Sequence, residues 1–509
     1  MKLGFLFGAG AEVGYGLPNG GRFALDIFRH DTFSSKSEFK EMRDSILKTT
    51  KYASSWLPDD YSTKNISSYG KAVFESIIKD TVEHNRDVII KKLNDFDKFA
   101  KTEAKSIFRD TNKDVTSVIE KYLNKSIDDS NMNQIIAFID AFKEGNGIFS
   151  NNYFSALLEI YKRQDILEPE VRTELGKIII AILQLHIGAL SEKLTRKIND
   201  NLFLKKDDDI DIFDDLGEII QLNYQATGLT GMEYLLEKRR ANTDTDSGLI
   251  LRFAQCTIES IYASVLDYKS LIDSNWHYLY CPKYEWAKFC KISIFLLTVR
   301  EYILEQSKKI DFSANKSYYD DLKSAIDNNL LNVSKIATTN YNKFISDIIG
   351  EDIVYLNGST EKWYDPYLNK IDSREKLSEN EKHFFVPLLF TQSGTKPMTS
   401  IDMSIEYVNT YYGWGESDAI VVIGFGFNPD DEHINGILRT LIDDDGKKLI
   451  VIALKGNDCE SDAIKQISDK LKIKSRDKIS LIQLDSNRKI DNRLWIDVII
   501  EKIEADLHL

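Results

Sequence analysis

Three short clusters carry residue types that could do chemistry. Leu3-Gly-Phe-Leu-Phe7 runs straight into Gly8-Ala9-Gly10-Ala11-Glu12, with Gly14, Gly16, Leu17 and Pro18 close behind. A strand, a glycine-rich turn and a helix capped near Asn19 form a unit that aims backbone N–H groups at an anion, usually a phosphate. Thr338-Thr339-Asn340-Tyr341 and Val422-Ile-Gly424-Phe425-Gly426 each close a β-like run. Every one of these clusters also has a plain structural use. Gly8 to Gly10 would serve as a tight turn, Asn340 as a helix cap, and Gly424 to Gly426 as a point of close packing. The first turn reads Gly8-Ala-Gly10-Ala-Glu-Val-Gly14, which departs from Gly-x-Gly-x-x-Gly and is a weak signal alone. Cys256, Cys281, Cys290 and Cys459 never approach Cys-x-x-Cys spacing, so no zinc ribbon, disulfide framework or other metal site is expected.

The elements that must position these clusters alternate at the two ends of the chain. Apolar runs at 3–7, 335–339, 352–356, 383–387, 419–423, 449–454 and 479–484 read as strands. Helical periodicity occupies 343–349, 401–414, 431–442, 461–471 and 494–507. Continuous apolar strands between helices predict an α/β fold, a doubly wound, Rossmann-like parallel sheet. Residues 1–34 and 331–509 would build it, with 35–330 as a large inserted all-helical domain. Within that insert, 71–78, 87–96, 133–142, 171–194, 248–268 and 286–304 repeat apolar residues three and four apart. Segments 178–183 and 292–297 are more apolar than a lone surface helix requires, which suits either the insert's own core or an assembly face. The acidic run 206–215 reads as a solvated loop or helix start, or as a contact for a basic partner.

Composition bounds the function classes. At 509 residues the chain is long enough for two or three domains, and 42% hydrophobic with 11% aromatic residues excludes global disorder. The net charge of −14 gives no whole-chain footprint for nucleic acid. No run of 18 uncharged apolar residues and no signal peptide is evident, so a soluble, cytoplasmic protein with reduced thiols is expected.

Taken together and in this order, Gly8-Ala9-Gly10-Ala11 with Gly16-Leu17-Pro18, Thr338-Thr339-Asn340-Tyr341, and Val422-Ile-Gly424-Phe425-Gly426 with Asp431 resemble the sirtuin-like family in its bacterial anti-phage defence branch. The resemblance covers about residues 1–30 and 335–455. It implies an NAD⁺ site in which Gly8, Ala9 and Gly10 let the backbone close on the pyrophosphate, with Ala11, Glu12, Leu17, Pro18, Thr339 and Lys455 also contacting the cofactor. Gly424, Phe425 and Gly426 would form the second glycine turn, on the adenosine side. Asn340 matches the family's asparagine beside the nicotinamide-bearing ribose, where an amide can orient both a hydroxyl and an attacking water. Loss of nicotinamide leaves an oxocarbenium-like carbon, so positioning counts for more than a strong nucleophile.

One position departs from the family. Where the pattern usually shows His-Gly after the 352–356 strand, this chain has Asn357-Gly358. An asparagine can hydrogen-bond the ribose hydroxyl but cannot take its proton near neutral pH. Either hydrolysis runs without that base, or another group such as His383 substitutes, or the domain binds without turnover. The resemblance implies an NAD⁺ glycohydrolase effector that depletes cellular NAD⁺ during phage infection. Its activity would be held off by the helical insert, by self-assembly, or by a co-encoded sensor, ATPase or nucleotide-processing subunit. A sensor without turnover, or an ADP-ribosyl cyclase or transferase, is the alternative.

Overall fold

In the computed structural model, the described residues are 1–15, 17, 20–69, 85–130, 147–163, 165–189, 241–265, 272–273, 275–311, 316–350, 352–378, 382–389, 399–455 and 459–507. Pro18, the segments expected at 71–78 and 133–142, the ends of those reaching 194 and 268, and the acidic run 206–215 lie outside them.

Two compact units divide the chain. One comprises Met1–Asn19, His30–Tyr69 and Lys269–Leu509, and the other Gly20–Arg29 and Gly70–Tyr268. Residues 35–69 and 269–330, read from the sequence as part of the helical insert, thus group with the sheet. Side-chain packing explains why. Phe39, on the helix Phe33–Ser45, stacks on Phe384 at 4.6 Å, and Phe289 of the helix Trp286–Ser307 meets the same ring edge-on. From that second helix Arg300 Nε also donates to the Thr360 carbonyl at 2.6 Å, with its guanidinium over the Trp363 ring.

The strands of the first unit are β1 (Lys2–Phe7), β2 (Asn332–Thr338), β3 (Ile353–Tyr355), β4 (Gly358–Asp365), β5 (Lys370–Asp372), β6 (Val386–Leu389), β7 (Ala419–Ile423), β8 (Lys448–Leu454), β9 (Ile479–Leu484) and a short pair, β10 (Lys489–Ile490) and β11 (Arg493–Leu494). Six of them form one parallel sheet in the order β3-β2-β1-β7-β8-β9. Counting only these parallel strands along the chain, that order is 3-2-1-4-5-6, the order of a Rossmann-like sheet. It reverses direction between β1 and β7, where Phe5 pairs with Val421 and Phe7 with Ile423. The expected α/β sheet is therefore present. A small antiparallel sheet, β5-β4-β6, was not legible in the sequence. The strand expected at 383–387 starts only at Val386.

Alternation along β1 sorts its side chains. Leu3, Phe5 and Phe7 join Tyr319, Leu322, Trp495 and Ile499 in one core. Gly4 faces the other way, where a Cβ would stand 2.6 Å from Trp414 Cδ1, so the indole lies directly on the strand's backbone. Trp414 belongs to the helix Ile401–Gly415, which also buries Met403, Tyr407 and Thr410.

In the second unit, Ile178 through Leu183 all sit in the helical core at 3% exposure or less. In the first, Ile292, Ile294, Phe295, Leu296 and Leu297 are likewise buried. Neither apolar segment presents an exposed face for assembly. Among the described residues, no helix is long and apolar enough to cross a membrane.

Candidate functional site

The carboxyl ends of β1 and β7 flank the point where the strand order reverses, the usual place for a ligand in an open α/β sheet. There the two glycine turns lie on each other. The Gly8 N–H donates to the Ile423 carbonyl at 2.8 Å, Gly10 N–H to Gly424 at 2.9 Å, and Ala11 N–H back to Gly8 at 3.0 Å. A Cβ on Gly8 would meet the Gly424 oxygen at 2.5 Å, and one on Gly10 the Gly424 Cα at 2.7 Å. Gly424 has φ +67°, and a Cβ on it would lie 2.2 Å from the Ala11 nitrogen. The glycine pattern at these three positions therefore has a packing cause, and three of the N–H groups expected to face an anion are bonded within the turns. The turn also does not pass straight into an α-helix. It continues as a 3₁₀ segment, Ala9–Tyr15, and the helix Gly20–Arg29 groups with the other unit.

The remaining residues of the expected cofactor set are spread around these turns. Ala9 and Gly10 are exposed, Ala11 is buried, and Leu17 is half-buried against the sheet core. Phe425 is half-buried and meets Phe427 edge-on at 5.3 Å, while the exposed Gly426 offers its carbonyl to Lys470. Lys455 is exposed just past β8, with its N–H on the Leu484 carbonyl.

Asn340 stands at the end of β2, beside Gly8. The Thr339 N–H donates to the Phe7 carbonyl, and the Asn340 N–H to Thr338 Oγ1 at 3.1 Å. The Asn340 side chain is buried, and its Nδ2 donates to both the Gly8 carbonyl and the Tyr319 hydroxyl, each at 3.1 Å. No described residue donates to its Oδ1. The amide is thus fixed with its oxygen as the available acceptor, at the carboxyl end of a strand next to the reversal point. As a cap, Asn340 is displaced by Asn342, whose Oδ1 takes the Phe344 N–H at the start of the helix Phe344–Ile349.

Glu12 is not turned toward a ligand but is 3% exposed inside this network. Its Oε1 accepts from the Tyr319 hydroxyl at 2.7 Å and its Oε2 from Asn342 Nδ2 at 2.5 Å. Burial raises its pKa to about 7, against the lowering effect of Asn342 and Tyr319, which bond to it, and of the nearby Asn340 amide. Tyr319 comes from the helix Tyr318–Asp327, and burial pushes its phenol well above the ordinary value. Sequence reasoning missed both Tyr319 and Asn342. Asn342 had a signal, a second asparagine two residues after the first, whereas Tyr319 sits in an amphipathic helix that looks like any other.

Asn357 lies beside Asn340, since its Nδ2 donates to the Thr339 carbonyl at 3.1 Å. His383 does not join them. Its Nδ1 is 2.7 Å from Asp365 Oδ2, with Tyr52 and Tyr367 against the ring. Asp365 ends β4, whereas Asn357 directly precedes the strand's first residue, and the antiparallel pairing of Gly358 with Leu389 and Tyr364 with Val386 keeps the two ends apart. Among the described residues, His30, Glu301 and Glu305 are the group with metal-ligand types, and the imidazole nitrogens lie 4.0 and 3.9 Å from the two carboxylates.

No family model matches the chain, and no curated protein does. Four solved chains match. One is from a structure described as "The Structural basis for Sirtuin Substrate affinity". It has a TM-score of 0.23 and 13% identity, covering 42% of this chain and 82% of that one.

Proposed function

We propose that the chain is an NAD⁺ glycohydrolase, cleaving the bond between nicotinamide and ribose to leave ADP-ribose. The observation that carries this reading is the fixed amide of Asn340, which offers Oδ1 as an acceptor beside the reversal point of a Rossmann-like sheet. An acceptor there can hold a hydrogen of the ribose hydroxyl, or of the water that attacks C1′ once nicotinamide leaves with the bonding electrons. The water's second proton goes to solvent. The leaving group departs as a neutral pyridine and needs no acid, so the site's work is orientation and stabilisation of the cationic carbon. The reading further takes the sheet as doubly wound, supported by the core at Leu3, Phe5 and Phe7 on one face and Trp414 on the other.

The motif order that resembles the defence branch of the sirtuin-like family supports a role in NAD⁺ depletion during infection, with a partner subunit in control. A second reading, a binding subunit without turnover, is favoured by one observation. The histidine expected next to Asn340 is Asn357, and His383 is held at the far end of β4. Incubating the purified protein with NAD⁺, alone and with the product of a neighbouring gene, separates the readings. Nicotinamide and ADP-ribose in equal amounts support the hydrolase and a cyclic product the cyclase, whereas binding without NAD⁺ loss supports the sensor.

A further inference from the structure

We propose that Glu12 is a positioning residue, whose carboxylate acts through the Tyr319 hydroxyl to hold the Asn340 amide with Oδ1 toward the ligand. The consequence for turnover rests on the glycohydrolase reading, but the orientation itself does not.

The argument is one of donors and acceptors. The Gly8 carbonyl can only accept, so the amide group facing it must be Asn340 Nδ2. The same nitrogen faces the Tyr319 oxygen, which must therefore accept as well, and the single phenolic hydrogen is left for Glu12 Oε1. On the other side, the Phe344 N–H fixes Asn342 Oδ1, so Asn342 must present Nδ2 to Glu12 Oε2. Both carboxylate oxygens thus face donors. A proton on Oε2 would confront the Asn342 amide hydrogen. On Oε1 it would turn the phenolic hydrogen toward Asn340 Nδ2. The ionised form alone leaves every bond in place, while burial favours the neutral form.

Among the described residues, the groups facing Glu12 from the packed elements offer no cation to settle that opposition. They are Tyr15, whose hydroxyl donates to Asp320, then Tyr319 and Asp320 from the helix before β2, Asn340 and Asn342 after β2, and Tyr355 on β3. With its pKa at about 7, Glu12 changes charge near neutrality, and Asn340 is released on the acid side.

Full-length protein labelled with ¹⁵N-asparagine gives the test, through the side-chain amide signals of Asn340 followed from pH 6 to 8. They are expected to shift with a midpoint of about 7 in the unaltered protein and to lose that transition in Glu12→Gln. Tyr319→Phe, which keeps the ring's packing but removes the relay, should lose it too. Signals that stay constant in the unaltered protein, or a transition that persists in both variants, would overturn the proposal. In parallel, NAD⁺ turnover should fall on the acid side of pH 7. In Tyr319→Phe, kcat should drop on the order of a hundredfold with KM changed by less than about threefold, and the acid limb should vanish. An unaltered kcat with the limb intact would count against the relay. Absence of any NAD⁺ cleavage by the unaltered protein removes the hydrolase reading and leaves the amide titration to decide on Glu12.

Discussion

The Gly10 amide donates to the Gly424 carbonyl at 2.9 Å, and no side-chain atom fits between these two residues. Gly10→Val is therefore a stability variant before it is a binding variant. Overpacking here should cost about 1–3 kcal/mol or more. Gly424→Ala adds the strain of φ +67° to a 2.2 Å overlap with the Ala11 nitrogen. Gly14, around which a Cβ would meet nothing within 4 Å, is the control, and Gly14→Ala should lie within about 1 kcal/mol of the unaltered protein. Urea unfolding of the three variants checks the ranking. A fully stable Gly424→Ala protein would show that the turns do not lock each other.

Asn340→Ala should lower NAD⁺ cleavage at least about a hundredfold, as the loss of a preorganised polar group at a reacting centre does. It also removes one of the two donors to the Gly8 carbonyl, which keeps the Ala11 N–H, at a cost of about 0.5–1.5 kcal/mol. Activity must therefore be expressed per folded molecule, with circular dichroism as the check. Near-normal turnover by a folded variant would dismiss Asn340 from the site.

The strands that were legible are those whose residues are apolar on both faces. Ala419–Ile423 was readable to the residue because a parallel strand buried on both sides is a continuous apolar run, and Ile479–Leu484 because four of its six residues are apolar and buried. β4 was not, since Gly-Ser-Thr-Glu-Lys-Trp-Tyr-Asp mixes polar and apolar positions and its register with β6 shifts between Gly358 and Trp363. Within the site, the clusters around Gly8, Asn340 and Gly424 were visible as residue types at strand ends. What the glycines do was not, because a turn that packs on a second turn and a turn that opens to a phosphate use the same residue. The place of Tyr319 depends on a helix docking beside β1, which no local pattern records.

Asn357→His introduces an imidazole where an amide now donates to the Thr339 carbonyl. One ring nitrogen can keep that bond and the other is then available as a base. Turnover should hold or rise, with a new dependence on an ionisation near neutrality. A variant that folds and binds NAD⁺ but loses turnover would mean that Asn357 contributes as an amide, and the missing base is no defect.

His383→Ala should act on stability and spare the chemistry. The side chain is buried against Asp365, whose other oxygen accepts from the Tyr367 and Leu368 N–H groups. Removing the imidazole takes the partner from one buried carboxylate oxygen, which should cost about 1–3 kcal/mol. Thermal unfolding and kcat, measured on the same preparation, give the answer. A large fall in kcat at unchanged stability would restore His383 as a base.

Glu12 predicts the sign of a pH effect on stability. Its pKa is about 7 when folded and 4.5 in the open chain, so between these values the folded state holds the extra proton. Its contribution to stability is complete below pH 4.5 and is lost as pH rises through 7. From pH 6 to pH 8 this group alone should remove about 1 kcal/mol. Glu12→Gln should flatten that slope in urea titrations run at several pH values. An identical slope in both proteins would place the proton elsewhere.

β1 stands in the middle of its sheet, yet its neighbours come late. Phe7 meets Thr338 331 positions further along the chain, and Leu3 pairs with Ala419. At a synthesis rate of about 5–20 residues per second, this strand waits roughly 15–70 s before its first partner leaves the ribosome. During that interval an apolar Leu-Gly-Phe-Leu-Phe segment has two unpaired edges and offers a template to other nascent chains. High contact order also makes the closing step slow once the partners arrive. Yield of active protein should therefore depend on expression temperature and on holdase chaperones more steeply than the finished fold's stability alone would require.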